Sequence, residues 1–443
     1  MSITTESCLA PGAEAALDPP RRRPGVRAAW IMMASGWSAN QFSALLGAYR
    51  SELGLSASAV TGLFALYVVG LVPGLLVGGP LADRAGRRPV ALTALALNLV
   101  STGVLMLGAG ATGWLWPGRF LTGVSAGALL AAGSAWIKEL SSAPYAVEGP
   151  AGASTASRRA GLFVSAGFAC GGLAAALIAR WAAAPMITAY VPHVLLAAGA
   201  GLAAWTAPET ARGGGVAPVG GATPVGGTVS AGGAAPVGGT APARATVDAR
   251  AGAGSAHGGT GRAFRRGILP VAPWVFAAPS VGFATLPGLV HGGLVYAGVA
   301  TAVVPGTGLL VQPLARRVAR HHRLATAVVG LLVIAVGFGA AALAVAGTGP
   351  ALALAAAAVL GAGYGFVLTY GLTEVTALAP PHRLARLTAY FWAAAYVGML
   401  APFAVTLLSA RVRPPTLFGA AATLSVLSGA LLVALHTRRD PRR

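Results

Sequence analysis

The sequence predicts an all-α integral membrane protein whose twelve transmembrane helices form two six-helix bundles. Three observations carry this expectation: an apolar composition, twelve apolar runs of membrane-crossing length, and a one-sided distribution of basic residues. Hydrophobic residues make up 56% of the 443, charged residues only 9%, and the mean hydropathy is +0.72. A soluble domain carries roughly 25% charged residues. Runs close to the ~20 residues that span a bilayer's hydrocarbon core fall at 28–49, 57–81, 89–111, 114–137, 160–179 and 186–206. After a long break they resume at 268–290, 292–315, 324–346, 350–373, 387–410 and 415–436.

The charges assign an orientation. With the N-terminus cytoplasmic, 26 of the 31 Lys and Arg residues fall in cytoplasmic segments, leaving Arg50, Arg119, Arg180, Arg411 and Arg413 elsewhere. Such a bias fits both termini inside by the positive-inside rule. The net charge of +20 and pI near 11.5 therefore report topology, and no nucleic-acid partner is implied. Cys8 lies in the polar tail and Cys170 in an apolar run, so the cysteines carry no redox information.

The expected organisation is a cytoplasmic tail (1–27), a six-helix bundle (28–206), a linker (207–265), a second bundle (266–436) and a short cytoplasmic tail (437–443). The linker is rich in Gly, Ala, Pro and Thr and repeats Pro-Val-Gly-Gly at 218–221, 224–227 and 236–239. It has too few large apolar residues to build a core and reads as a flexible spacer. The halves share a short repeat: Pro80-Leu81-Ala82-Asp83-Arg84 ends the second span and Pro313-Leu314-Ala315-Arg316-Arg317 the eighth.

Between the second and third spans lies a mixed-charge cluster, Gly79-Pro80-Leu81-Ala82-Asp83-Arg84-Ala85-Gly86-Arg87-Arg88-Pro89. Charge is costly in lipid, so the cluster is expected on a short loop at the membrane surface. Its form closely resembles the signature loop of major facilitator superfamily transporters. That resemblance implies a substrate site at mid-membrane between the bundles and a conformational latch between the two halves, formed by Gly79, Asp83, Arg84, Gly86, Arg87 and Arg88, with a merely topological basic loop as the alternative. Leu115 through Gly127 likewise resembles the family's fourth-helix pattern, and the resemblance assigns Arg119 to proton transfer or substrate contact, the alternative being an arginine that snorkels to the outer surface near that helix end. The stretch Ser165 to Gly172 is similar to the glycine-rich fifth helix of antiporters, although Gly172 stands where that pattern has proline.

Other candidates follow from the residues themselves. Small residues four apart, Gly70, Gly74 and Gly78, and again Gly123 and Gly127, read as helix-packing surfaces. Asn40 and Gln41 fall midway along the first span, as cavity contacts or interhelical hydrogen-bonding groups. His193 reads as a packing histidine ahead of a proton carrier, and Glu374 as a gate or surface charge ahead of a buried coupling acid. Tyr364, Tyr370, Trp392 and Tyr396 offer aromatic walls for an apolar ligand or packing anchors. No Asp or Glu falls near the middle of any expected span. The sequence carries no zinc spacing, phosphate loop or nucleophile elbow, so no enzyme, metal or cofactor is expected.

The expectation is a monomeric secondary transporter in a bacterial-type inner (plasma) membrane, working by alternating access on a small molecule, with protons as a candidate coupling ion. Efflux of an apolar or amphipathic compound is preferred. Uptake of a sugar or other neutral nutrient, and a non-transporting sensor or scaffold with the same fold, are the alternatives.

Overall fold

The computed structural model describes residues 24–141, 145, 152–210, 261–379 and 384–437. Among the described residues ten helices are long and apolar enough to cross a membrane, and a shorter apolar helix, Trp274–Leu289, stands at the seventh span. The first span, α1 (Pro24–Ala44), continues past Leu45 as Leu46–Leu53 and brings the count to twelve. Its Ser, Asn and Gln residues are buried against protein, where polar groups in a span are tolerated.

The N-terminal half continues with α2 (Ala57–Ala85), α3 (Arg87–Leu107), α4 (Leu115–Leu140), α5 (Gly152–Trp181) and α6 (Val191–Trp205). The C-terminal half holds α7 (Trp274–Leu289), α8 (Gly293–His321), α9 (Arg323–Leu343), α10 (Pro350–Leu378), α11 (Leu387–Leu408) and α12 (Pro414–Thr437). No strand occurs among the described residues.

In lipid, helices associate by close van der Waals fit rather than by hydrophobic burial, so small residues set the crossings. In the N-terminal half α2 packs on α4 and α1 on α5; in the C-terminal half the matching pairs are α8 on α10 and α7 on α11. At α2–α4 a Cβ on Gly70 would strike the Phe120 carbonyl, and one on Gly74 the Val124 carbonyl. From the other side, Cβ atoms on Gly123 and Gly127 would strike the carbonyls of Tyr67 and Leu71. Gly361 and Gly365 make the same approach to α8, at the Val304 and Gly308 carbonyls. The repeat extends to prolines inside helices, Pro73 and Pro80 in α2 and Pro305 and Pro313 in α8. The two halves touch mainly through α5–α8 and α2–α11.

Two expectations change. The charged cluster after α2 is not a loop: α2 runs through Asp83 and Arg84, and α3 starts at Arg87, leaving Gly86 alone between them. Gly86 makes this reversal at φ 109°, ψ 148°, which a residue with a Cβ adopts only under strain. The segment expected as a linker, 207–265, also has packed residues at both of its ends. Residues 207–210 are held against the N-terminal half, and 261–267 are helical with Ala263 and Phe264 buried. The Pro-Val-Gly-Gly repeats lie outside the described residues.

Candidate functional site

A cavity of about 1010 Å³ lies between the halves, open at one end. It is walled by Ser43 and Gly47 at the end of α1, Val60 and Thr61 at the start of α2, Ala179 and Arg180 on α5, Phe283 to Thr285 on α7, Leu294 on α8, and Val405 and Thr406 on α11. It therefore opens on the face away from the Asp83 cluster. The α7 wall is built by a π-helical turn, Val281–Thr285, between two α-helical pieces that carry Pro279 and Pro287. Single π turns within α-helices often mark functional positions. Here the turn brings Phe283, Ala284 and Thr285 to the cavity wall.

Below the cavity the halves close on aromatic and aliphatic groups. Phe64 of α2 meets Phe283 of α7 edge-on, ring centroids 6.2 Å apart. Tyr67, Val68 and Leu71 of α2 share one buried cluster with Tyr396 and Met399 of α11. The aromatic residues expected as walls divide here. Tyr364 and Tyr396 stack on Phe276, at 6.2 and 4.4 Å, and Trp392 lies 6.1 Å from the same ring. Tyr370 stands apart, donating its hydroxyl to the Gly267 carbonyl at 2.9 Å.

Arg119 is fully buried and is not among the residues that line the cavity. Its guanidinium lies over the rings of Phe42 (4.1 Å) and Tyr67 (4.8 Å), and Nε donates to the Leu63 carbonyl at 3.3 Å. Nη1 and Nη2 make no hydrogen bond to the described protein. The hydroxyls of Tyr49 and Tyr190 touch each other, joining the α1 extension to α6.

Asn40 is an interhelical bridge: its amide donates to the carbonyls of Phe168 on α5 (2.8 Å) and Thr301 on α8 (3.2 Å), tying the halves together. Gln41 is buried with neither amide atom bonded to the described protein. His193 packs inside the N-terminal half with Nδ1 3.0 Å from the Thr102 hydroxyl. It continues a polar chain through Ser101, Thr122, Ser125 and Asn98 to Ser38.

On the opposite face, the charged cluster forms a network of its own. Arg87 pairs with Asp83 one turn before it and with Glu139 at the end of α4, 3.2 Å away. Glu209 accepts from the backbone amides of Arg87 and Arg88, 2.9 Å each, capping α3. Arg88 lies over the Trp205 ring at 5.7 Å, while Arg84 is exposed and Gly79 is partly buried. All these contacts lie within the N-terminal half. The C-terminal half carries a sparser counterpart, Arg323 at the start of α9 and a buried Glu374 at the end of α10, 3.8 Å apart. Sequence reasoning missed Glu139, Glu209, Ser43 and Thr285. For the two acids a signal existed: the chain has only 11 acidic residues, so each one at a basic face is a candidate partner.

Comparison with known proteins identifies the architecture. The sequence profile of the Major Facilitator Superfamily matches residues 28–402. The chain is 34% identical over 76 residues to the multidrug resistance protein MdtL of Klebsiella pneumoniae (strain 342). That match covers 17% of this chain and 19% of the relative. Among solved structures, a POT family transporter in complex with 5-aminolevulinic acid superposes with a TM-score of 0.69 at 12% identity, covering 94% of this chain and 96% of that one. A D-xylose–proton symporter gives 0.65 at 17% identity, over 93% and 96% of the two chains. At these identities the likeness is one of fold.

Proposed function

This chain belongs to the Major Facilitator Superfamily, and we propose that it exports a small apolar or amphipathic molecule by alternating access. The observation that carries the proposal is the cavity of about 1010 Å³ with walls from both halves, open on one face above an aromatic floor. A site shared by two rigid halves changes its exposure when they rock about it, which is how repeat-built transporters work. The direction rests on the apolar aromatic groups under the cavity and on the short stretch shared with a multidrug resistance protein.

In this reading the chain sits in the inner membrane of a bacterial-type cell with both termini cytoplasmic, so the cavity faces outward. The Asp83–Arg87–Glu139 network then lies on the cytoplasmic face. It would set the α2–α3–α4 corner in one access state and rearrange in the other. Protons are the candidate coupling ion. Among the described residues the acids lie near the C-terminal ends of helices or, for Glu209, in the chain that follows α6, so coupling would act through Glu374, His193 or Arg119.

The test is accumulation of labelled drugs, dyes and sugars in cells expressing the chain, with and without a protonophore. Lowered accumulation of an apolar compound, restored by the protonophore, is the expected result. Raised accumulation of a sugar would establish uptake instead. Unchanged accumulation of every compound would favour the non-transporting scaffold.

A further inference from the structure

We propose that the turn between α8 and α9 binds an anionic phospholipid, its phosphate received by Arg316, Arg317 and Arg320 and its acyl chains lying along the outer faces of the two helices. The site does not depend on the direction of transport. It is marked first by a difference between the halves. At the α2–α3 corner, Asp83 and Glu139 pair with Arg87, and Glu209 accepts the amides of Arg87 and Arg88. The α8–α9 corner is the counterpart by the Pro-Leu-Ala repeat, with Arg316 standing in the place of Asp83. Glu374 is the only acid between residues 261 and 437, and it lies 3.8 Å from Arg323. Arg316, Arg317 and Arg320 are exposed and make no ion pair among the described residues. A bias of basic residues toward one membrane face explains why both corners are basic. It does not explain why three acids answer one corner and a single acid the other. An anion from outside the chain completes the second corner as the chain's own acids complete the first, and the unanswered charge attracts it.

Depth and shape fit a lipid. Gly293 opens α8 at the cavity mouth, and the helix rises about 35 Å from there to Arg316. That is just beyond the ~30 Å hydrocarbon core, so the arginines stand at headgroup level. Leu310, Leu314, Arg317 and His321 follow helical spacing down one face of α8. Leu310 and Leu314 are 80% and 54% exposed and do not line the cavity, so on a spanning helix they face lipid. On α9, Val329, Leu332 and Val336 are exposed in the same way. His322 alone separates the two helices, so both apolar stripes end at one basic turn. Guanidinium forks suit a phosphate. The stripes beside them suit acyl chains, which a free phosphate lacks.

The experiment uses the purified full-length chain in a neutral detergent. Radiolabelled dioleoyl phosphatidylglycerol should bind at least tenfold more tightly than dioleoyl phosphatidylcholine, which has the same chains and no net charge. Excess inorganic phosphate should not displace it. The triple variant Arg316→Gln, Arg317→Gln, Arg320→Gln should abolish the preference. The double variant Arg411→Gln, Arg413→Gln removes exposed charge from the turn between α11 and α12, on the opposite membrane face, and should keep it. Phosphatidylglycerol with a photoreactive headgroup should crosslink to residues 316–323 of the parent chain, which decides the matter if the triple variant does not fold. Equal binding of the two lipids would overturn the proposal, as would a preference that survives the triple variant or falls equally in the double variant. Crosslinks confined to other segments would also overturn it, and displacement by inorganic phosphate would make this a site for soluble anions instead.

Discussion

The carboxylate of Glu209 accepts a hydrogen bond from the backbone amide of Arg87 at 2.9 Å, across 122 positions of sequence. Its other oxygen takes the amide of Arg88, so one acid satisfies two free donors at the start of α3. An anionic cap at a helix N-terminus contributes about 1–2 kcal/mol. Glu209→Ala should lower the melting temperature in detergent by a few degrees. Gly86→Ala should lower it further, because a Cβ there lies 2.7 Å from Glu209 Oε2 on a backbone of positive φ. An unchanged melting temperature for Gly86→Ala would contradict this geometry.

Asp83 should behave differently. Its side chain is 63% exposed and pairs with Arg87, and an exposed pair contributes no more than about 1 kcal/mol. Asp83→Asn should therefore melt close to the parent while transport falls severalfold, if the network switches between access states. Loss of both together would make Asp83 a structural residue only, and loss of neither would remove it from the mechanism.

The helix crossings give a sharper contrast. Gly74→Leu puts bulk against the Val124 backbone, whereas a Cβ added to Gly103, on α3, would have nothing within 4 Å. Backbone cannot move as a flexible side chain can, so overpacking at Gly74 should cost about 1–3 kcal/mol. Monodisperse yield after detergent extraction should collapse for Gly74→Leu and hold for Gly103→Leu. Equal yields would show that α2 and α4 do not approach as described.

Asn40 joins α5 and α8 through two carbonyls. Interhelical hydrogen bonds in membranes contribute about 0.6–1.7 kcal/mol. Asn40→Leu should leave the fold intact and raise amide hydrogen exchange near Phe168 and Thr301, where the halves meet. Exchange unchanged at both places would mean that the contact does not hold the halves.

Much of this was legible in the sequence, for identifiable reasons. Spans such as 350–373 are long and uniformly apolar, and α10 is found at Pro350–Leu378. The seventh was harder. Pro273, Pro279 and Pro287 interrupt it, and the helix begins at Trp274, six residues later than the apolar run suggests. Apolar content marks membrane depth but does not register a π turn. The position of Glu209 was invisible for another reason: it lies at the start of a low-complexity stretch, and its partners on α3 are more than 120 residues away. Arg119 could be placed on its helix from sequence, but its burial over Phe42 and Tyr67 depends on side chains from α1 and α2. Pattern within one helix carries no information about its neighbours' rings.

Gly47 gives the most direct test of the cavity. It lies on the cavity wall with nothing within 4 Å of an added Cβ, so Gly47→Trp fills the space without disturbing a packed surface. Accumulation of the labelled compound panel should be measured in cells expressing the parent, Gly47→Trp and Gly47→Ala at matched levels. Alternating access through this cavity requires lowered accumulation of an amphipathic compound by the parent and by Gly47→Ala, and none by Gly47→Trp. Export that persists undiminished in Gly47→Trp would contradict it.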